Sequence, residues 1–239
     1  MFLRNFVVAL REFIFGVAKP VAKGKAVYIW WNTKVHSKPS VPMREILRNQ
    51  KFFDYTIIGN AQLEQLTHQF DNQKMVELWQ QIPWWIVKID IGRLLYIYLY
   101  GGFYFDIDCR IKKNFLPMVH GQTVLFIEKE IPSTDTLGPR EQKTADRKLR
   151  IANYALGSDN TKSTFIKKVI DEACRRIEIL LSENGNHISA LDVIWASGPD
   201  VITSVYHDNK DLHDNVLLLD NSYIKHKCTG SWRKSINAK

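Results

Sequence analysis

The chain has 239 residues and a mass of 27.8 kDa, enough for one large domain or two small ones. Hydrophobic residues make up 45% of it, aromatic residues 12% and charged residues 24%, which excludes a disordered chain, a collagen-like repeat and a small disulfide scaffold. The 33 Lys and Arg against 25 Asp and Glu give a formal net charge of +8. This charge favours contact with phosphates, nucleic acid or an anionic membrane surface, without choosing among them.

The first predicted element is an amphipathic helix over residues 1–18, followed by Pro20 and Gly24. Arg11 and Glu12 interrupt its apolar residues, so the segment fits neither a signal peptide nor a spanning helix, which needs roughly 20 apolar residues. Two roles stay open for this helix. Its positive balance suits peripheral contact with the inner face of a cytoplasmic membrane, whereas its single apolar face suits packing on protein.

After the N-terminal unit, residues 1–23, strands and helices alternate. The predicted strands, rich in β-branched and aromatic residues, are 25–31, 54–59, 103–108, 123–128, 150–156 and 216–219. The predicted helices are 43–49, a helical pattern over 61–81, a longer helix from Pro83 to a stop at Gly101 and Gly102, and 161–181, 190–196 and 201–206. This alternation predicts an α/β domain with a largely parallel central sheet flanked by helices.

The most informative stretch is residues 89–110, IDIGRLLYIYLYGGFYFDIDCR. Side chains alternate faces along a strand, so Asp106 and Asp108 are predicted to project together, with Ile107 on the opposite face. Two carboxylates this close repel each other, and a divalent metal would remove the repulsion while binding diphosphate oxygens. On the preceding helix Asp90 and Arg93 are three residues apart and share a face.

Either motif alone is weak, because D-x-D is common at strand ends and a D-x-x-R pair is often a surface ion pair. In combination, D-x-x-R followed by Gly-Gly-x-Tyr-x-Asp-x-Asp resembles glycosyltransferase family 32. These DXD enzymes include fungal α-1,6-mannosyltransferases and bacterial capsule or lipopolysaccharide sugar transferases; the glucosylating bacterial toxins are a more distant likeness. The similarity extends over residues 25–232.

This resemblance implies a GT-A type fold over residues 24–239 and retaining transfer of a hexose. The implied donor is a UDP- or GDP-hexose, the acceptor is a saccharide or lipid-linked glycan, and the cofactor is Mn²⁺ or Mg²⁺. Catalytic roles are implied for Asp90, Arg93, Asp106 and Asp108, and metal ligation for Asp106, Asp108 and His226. Donor contacts are implied for Trp30, Trp31, Asp90, Arg93, Tyr104, Asp106, Asn153 and Trp232, with either Trp30 or Trp31 beside the base.

Two other functions share some of these features. A phosphatase of the haloacid dehalogenase type also uses a D-x-D, but its motif needs Thr or Val where this chain has Arg110. A nucleic-acid-binding module would explain the positive charge, but the basic residues are dispersed, so we expect no nucleic-acid partner. Three scattered cysteines without a C-x-x-C pair suit the reducing cytoplasm, where we expect the protein, with the membrane contact of residues 1–18 as an option.

Overall fold

The computed structural model describes residues 23–31, 43–70, 72–131, 148–184, 187–227, 230–234 and 236. The predicted helix over 1–18 lies outside these residues. The strands are β1 Gly24–Ile29, β2 Phe53–Ile58, β3 Gly102–Phe105, β4 Cys109–Ile111, β5 Thr123–Glu130, β6 Leu149–Ser158, β7 Val216–Leu219 and β8 Ile224–His226. The helices are α1 Met43–Asn49, α2 Asn60–Gln69, α3 Gln73–Gln81, α4 Trp85–Tyr100, α5 Thr164–Asn184, α6 Ala190–Ala196 and α7 Pro199–Asp208.

Six of the strands form one sheet in the order β2-β1-β3-β6-β5-β7. The neighbours β2, β1 and β3 are parallel, as are β5 and β7. Strand β6 is antiparallel to both β3 and β5. The predicted α/β domain with a mostly parallel sheet is confirmed.

The strand order reverses at β1. The chain leaves β1 for β2 on one side and returns to β3 on the other, and ligands of open α/β sheets bind in the crevice that such a reversal opens at the carboxyl ends of the strands. Trp30 and Trp31 follow β1 at this edge, and Asp106 follows β3. The topology therefore places the predicted base-binding and acidic residues at one crevice.

The glycines between α4 and β3 are required by the backbone. Gly101 and Gly102 have φ values of +68° and +82°, in the region that glycine adopts without steric penalty. A Cβ at Gly102 would also lie 2.9 Å from the carbonyl oxygen of Lys25 on β1. The predicted stop and tight turn are confirmed, and the close approach of β3 to β1 depends on them.

Several predicted boundaries differ from the structure. The helical pattern over 61–81 is two helices, since Asn72 accepts a hydrogen bond from Lys74 N and caps α3. Helix α4 begins at Trp85, two residues after Pro83. Strand β3 ends at Phe105, so the prediction of a strand through Asp108 is wrong. The ribbon of β4 and β8 was not predicted, because each strand has only three residues.

Buried side chains form two cores. The alternation along β3 divides them, since Phe103 and Phe105 lie in the smaller, aromatic core and Tyr104 lies in the larger one with helix α4. Within the described residues, no helix has the length and apolar character that crossing a bilayer requires.

Candidate active site

The acidic pair lies on a turn and not on a strand. The amide of Asp106 donates to Tyr154 O at 2.8 Å, which is the last backbone hydrogen bond between this segment and β6 before the turn. Cys109 N then donates to Asp106 O at 2.9 Å and closes the turn. This turn, and not strand alternation, sets the positions of the Asp106 and Asp108 carboxylates. The prediction that both project from one face of a strand is wrong, because β3 ends at Phe105.

His226 reaches the same place from the C-terminal part of the chain. Strand β8 pairs with β4 so that His226 lies opposite Cys109. The imidazole Nε2 is 3.1 Å from Asp108 Oδ1 and 3.5 Å from Asp106 Oδ2. Tyr154 stacks on the imidazole with ring centroids 4.2 Å apart. Both carboxylates therefore lie within 3.5 Å of one imidazole nitrogen.

The electrostatics of these three groups favour a positive charge between them. Burial raises the pKa of Asp106, against the lowering influence of Arg93 and His226. Burial lowers the pKa of His226, but its hydrogen bond with Asp108 and the charge of Asp106 outweigh this, so the net shift is upward. A cation bound beside these three groups would favour the ionised form of both carboxylates.

Arg93 and Asp90 form a buried layer behind the acidic pair. Arg93 Nη2 is 2.6 Å from Asp90 Oδ1, and Nη1 is 3.5 Å from Asp106 Oδ1. The guanidinium carbon lies 4.3 Å from the centroid of the Tyr104 ring, whose hydroxyl donates to Asp106 Oδ1 at 2.6 Å. Each of these side chains is placed through its neighbour, and Arg93 joins Asp90 to Asp106.

Asp90 is only 3% exposed. Its Oδ1 accepts from Asn153 Nδ2 at 3.1 Å and its Oδ2 from Ser197 Oγ at 2.8 Å, in addition to the ion pair with Arg93. Burial raises the pKa of Asp90 to about 6, although Arg93, Ser197 and Asn153 act in the opposite direction. In this arrangement Asp90 orients Arg93 and Asn153. The predicted contact of Asp90 with the donor sugar stays a prediction.

Comparison with known proteins supports a glycosyltransferase assignment. Residues 25–132 match the family model "Glycosyltransferase sugar-binding region containing DXD motif", a range that extends from β1 through β5 and contains Asp90, Arg93 and the acidic pair. This part of the chain is a DXD glycosyltransferase sugar-binding region. This replaces the phosphatase and the nucleic-acid-binding alternatives, and the recognition of the family from its motifs is confirmed.

Among solved structures, this glycosyltransferase is similar to the PaToxG glycosyltransferase, with a TM-score of 0.50 and 16% identity over 87% of this chain and 76% of that one. The apo-form glycosyltransferase GlyE of Streptococcus pneumoniae TIGR4 aligns with a TM-score of 0.33 and 12% identity, over 84% of this chain and 46% of that one. No curated protein matches the chain in sequence. The likeness to PaToxG supports the GT-A fold.

The side-chain amide of Asn153 is only partly hydrogen-bonded. Its Nδ2 donates to Asp90 and its backbone carbonyl accepts from Arg93 Nη1 at 2.6 Å. The side-chain oxygen Oδ1 is buried and has no hydrogen-bond partner among the described residues. A buried acceptor without a donor is uncommon in folded proteins, so a ligand hydroxyl is a suitable partner for it.

The three tryptophans predicted to contact the donor differ in their surroundings. Trp30 and Trp31 follow β1 and are both partly exposed. Trp31 and Trp232 pack against the larger core. Trp30 N donates to Ile58 O at 2.8 Å, which continues the pairing of β1 with β2 up to the crevice. The predicted contact of Trp30 or Trp31 with the base stays a prediction.

Two residues of the site were missed in the sequence. Tyr154 stacks on His226, and Ser197 hydrogen-bonds Asp90 across 107 positions of the chain. Tyr154 follows Asn153 in the predicted strand, and Ser197 precedes the Gly198-Pro199 start of α7. Their positions beside these predicted features were the signals available in the sequence. The contacts in the structure are what give Tyr154 and Ser197 a role in the site.

The donor set of the acidic site fits a divalent cation. Carboxylate oxygens are preferred by Mg²⁺ and Mn²⁺, and an imidazole nitrogen is compatible with Mn²⁺. Ligand atoms of Asp108, Cys109 and His226 all lie within 4.8 Å of one another. The Cys109 thiol is fully buried and its Sγ lies 3.5 Å from Tyr154 O, so Asp108 and His226 are the better candidate ligands of this group. Asp106 is not in the group, but its Oδ2 lies 3.5 Å from His226 Nε2 and makes it the third candidate.

Proposed function

We propose that this glycosyltransferase transfers a hexose from UDP- or GDP-hexose to a saccharide or lipid-linked glycan, with retention of configuration. Asp106, Asp108 and His226 hold Mn²⁺ or Mg²⁺ on the donor diphosphate. The observation that carries the proposal is the convergence of Asp106 Oδ2 and Asp108 Oδ1 on His226 Nε2, within 3.5 Å and 3.1 Å. It occurs at the crevice where a sheet of this topology binds ligands.

Each residue around this point has a distinct task. The bound cation would neutralise the negative charge that develops on the leaving diphosphate. Arg93, held by Asp90 and Tyr104, orients the hexose by hydrogen bonding. Asn153 Oδ1 accepts a hydrogen bond from a hexose hydroxyl, which satisfies its buried oxygen. Trp30 stacks on the base, and Trp232, which follows β8, lies beside the diphosphate.

A thermal-shift screen tests the proposal directly. UDP- and GDP-hexoses with Mn²⁺ are expected to raise the melting temperature, because a ligand that binds only the folded state stabilises it. At about 100 times the Kd the stabilisation is about 2.7 kcal/mol, or about 5–10 °C for a chain of this size. EDTA should abolish the shift. If the shift persists in EDTA, the proposed metal dependence is wrong. If none of the sugar nucleotides shifts the melting temperature, the proposed donor is wrong.

We also propose, for the unit at residues 1–23, peripheral binding to the cytoplasmic face of a membrane, where a lipid-linked capsule or lipopolysaccharide acceptor would lie. The support is the sequence alone, since its phenylalanines and basic residues suit an anionic bilayer. Co-sedimentation with anionic vesicles is expected for the full chain and lost for a chain beginning at Lys23. Equal sedimentation of the two chains would leave only packing on protein for this segment.

A further inference from the structure

The ribbon of β4 and β8 carries much of the candidate metal site but is small. Asp108 directly precedes β4, and His226 ends β8. Among the described strands, β4 and β8 pair with each other and not with the six-stranded sheet. A lone two-stranded ribbon is marginally stable in water. Burial of Cys109, Ile111 and Ile224 in the smaller core holds it to the domain, but apolar contact is non-directional and does not set its exact placement.

Asn49 on α1 supplies directional contacts to β4. This residue is 1% exposed. Its Oδ1 accepts from Ile111 N at 2.9 Å, and its Nδ2 donates to Cys109 O at 3.0 Å. The side-chain amide therefore acts as one further strand residue along the edge of β4 that faces away from β8. The same Nδ2 lies 3.0 Å from the hydroxyl of Tyr28 on β1, which ties the ribbon to the strand that precedes Trp30.

Glu45, also on α1, makes the corresponding contact to β8. Its carboxylate is 2% exposed, and Oε1 accepts from Lys227 Nζ at 2.9 Å and from Arg48 Nη1 at 2.9 Å. The hydrogen bond from Lys227 lowers the pKa of Glu45 against the opposing effect of burial. Lys227 directly follows His226, so this ion pair fixes the backbone at the point where the imidazole leaves β8.

We infer that α1 is a positioning clamp, in which Asn49 and Glu45 place Asp108 and His226 at the distance that the cation requires. The inference rests on the proposed function, because it concerns the same metal site. Neither Asn49 nor Glu45 touches the site; both act through the ribbon. Residues that orient metal ligands from outside typically change metal affinity about 10- to 100-fold when mutated.

The test compares Asn49→Leu, Glu45→Gln and Lys227→Met with the full-length wild type. The Kd for Mn²⁺ alone is measured by electron paramagnetic resonance, well below each variant's melting temperature. Each of the three changes is expected to weaken Mn²⁺ binding about 10-fold or more. The double variant Glu45→Gln with Lys227→Met should lose no more than the single changes, because both remove the same ion pair. Glu172→Gln, which removes a carboxylate paired with Arg175 and Arg176 on α5, should bind Mn²⁺ as the wild type does.

The outcomes separate this inference from the proposed function. If the wild type binds Mn²⁺ and His226→Ala weakens the binding, the metal site stands; affinities within about twofold of wild type for the three clamp variants would then overturn the clamp alone. If the wild type binds no Mn²⁺, or His226→Ala leaves the affinity unchanged, the proposed ligand set and the clamp both fail. Should Glu45→Gln not fold, Lys227→Met decides, since it leaves Glu45 paired with Arg48.

Discussion

Turnover of the Asp108→Asn variant is expected to fall by roughly 10²- to 10³-fold or more, as when one group that stabilises transition-state charge is removed. The neutral amide loses the charge that would hold the cation and that pairs with a protonated His226 at 3.1 Å. The Asp108 side chain is 16% exposed and does not belong to either core. The melting temperature should therefore stay close to that of the wild type. Steady-state transfer with Mn²⁺, together with a thermal melt, checks both expectations.

Asp106→Asn should also remove activity, but with some loss of stability, because Asp106 accepts from Tyr104 and faces Arg93. The control is Asp54→Asn, an exposed carboxylate on β2 that is paired with Lys23, which should leave turnover unchanged. Near-normal turnover of either active-site variant in Mn²⁺ would contradict the assignment of the acidic pair to a metal.

Asp90→Ala is expected to destabilise the fold by about 3–5 kcal/mol, the usual effect of removing one partner of a buried ion pair. Arg93 is 3% exposed and would keep only Asp106 as a charged partner, while Ser197 and Asn153 would each lose an acceptor. For a chain of this size the melting temperature should fall on the order of 10 °C. Asp171→Ala removes an exposed pair with Lys167 on α5 and should cost less than about 0.5 kcal/mol.

Arg93→Met should destabilise less than Asp90→Ala. Burial already raises the pKa of Asp90 to about 6, and loss of the Arg93 charge would raise it further, so Asp90 would take up a proton and keep its bonds to Ser197 and Asn153. The same variant should weaken binding of the sugar nucleotide more than binding of the nucleoside diphosphate, by calorimetry. Equal weakening of both ligands would place Arg93 at the phosphates, and a larger loss of stability than in Asp90→Ala would contradict the protonation argument.

Local patterns in the sequence accounted for most of the sheet. Strands such as β1, β5 and β7 were predicted within a few residues, since each contains a continuous run of apolar residues. The ribbon of β4 and β8 was missed because three-residue strands carry no periodicity, and their pairing joins residues more than 100 positions apart. The end of β3 at Phe105 was missed because the alternation of apolar and polar residues continues through Asp108 into the turn.

The sequence by itself predicted the glycosyltransferase motif, because Asp90, Arg93, Asp106 and Asp108 lie within 19 residues and their spacing is specific. Only the tertiary structure decided which distant residues meet them. Ser197 reaches Asp90, Tyr154 stacks on His226, and Glu45 reaches Lys227 across 182 positions. Such contacts depend on strand order and on the path of the chain between elements, and a single sequence carries no local signal of either.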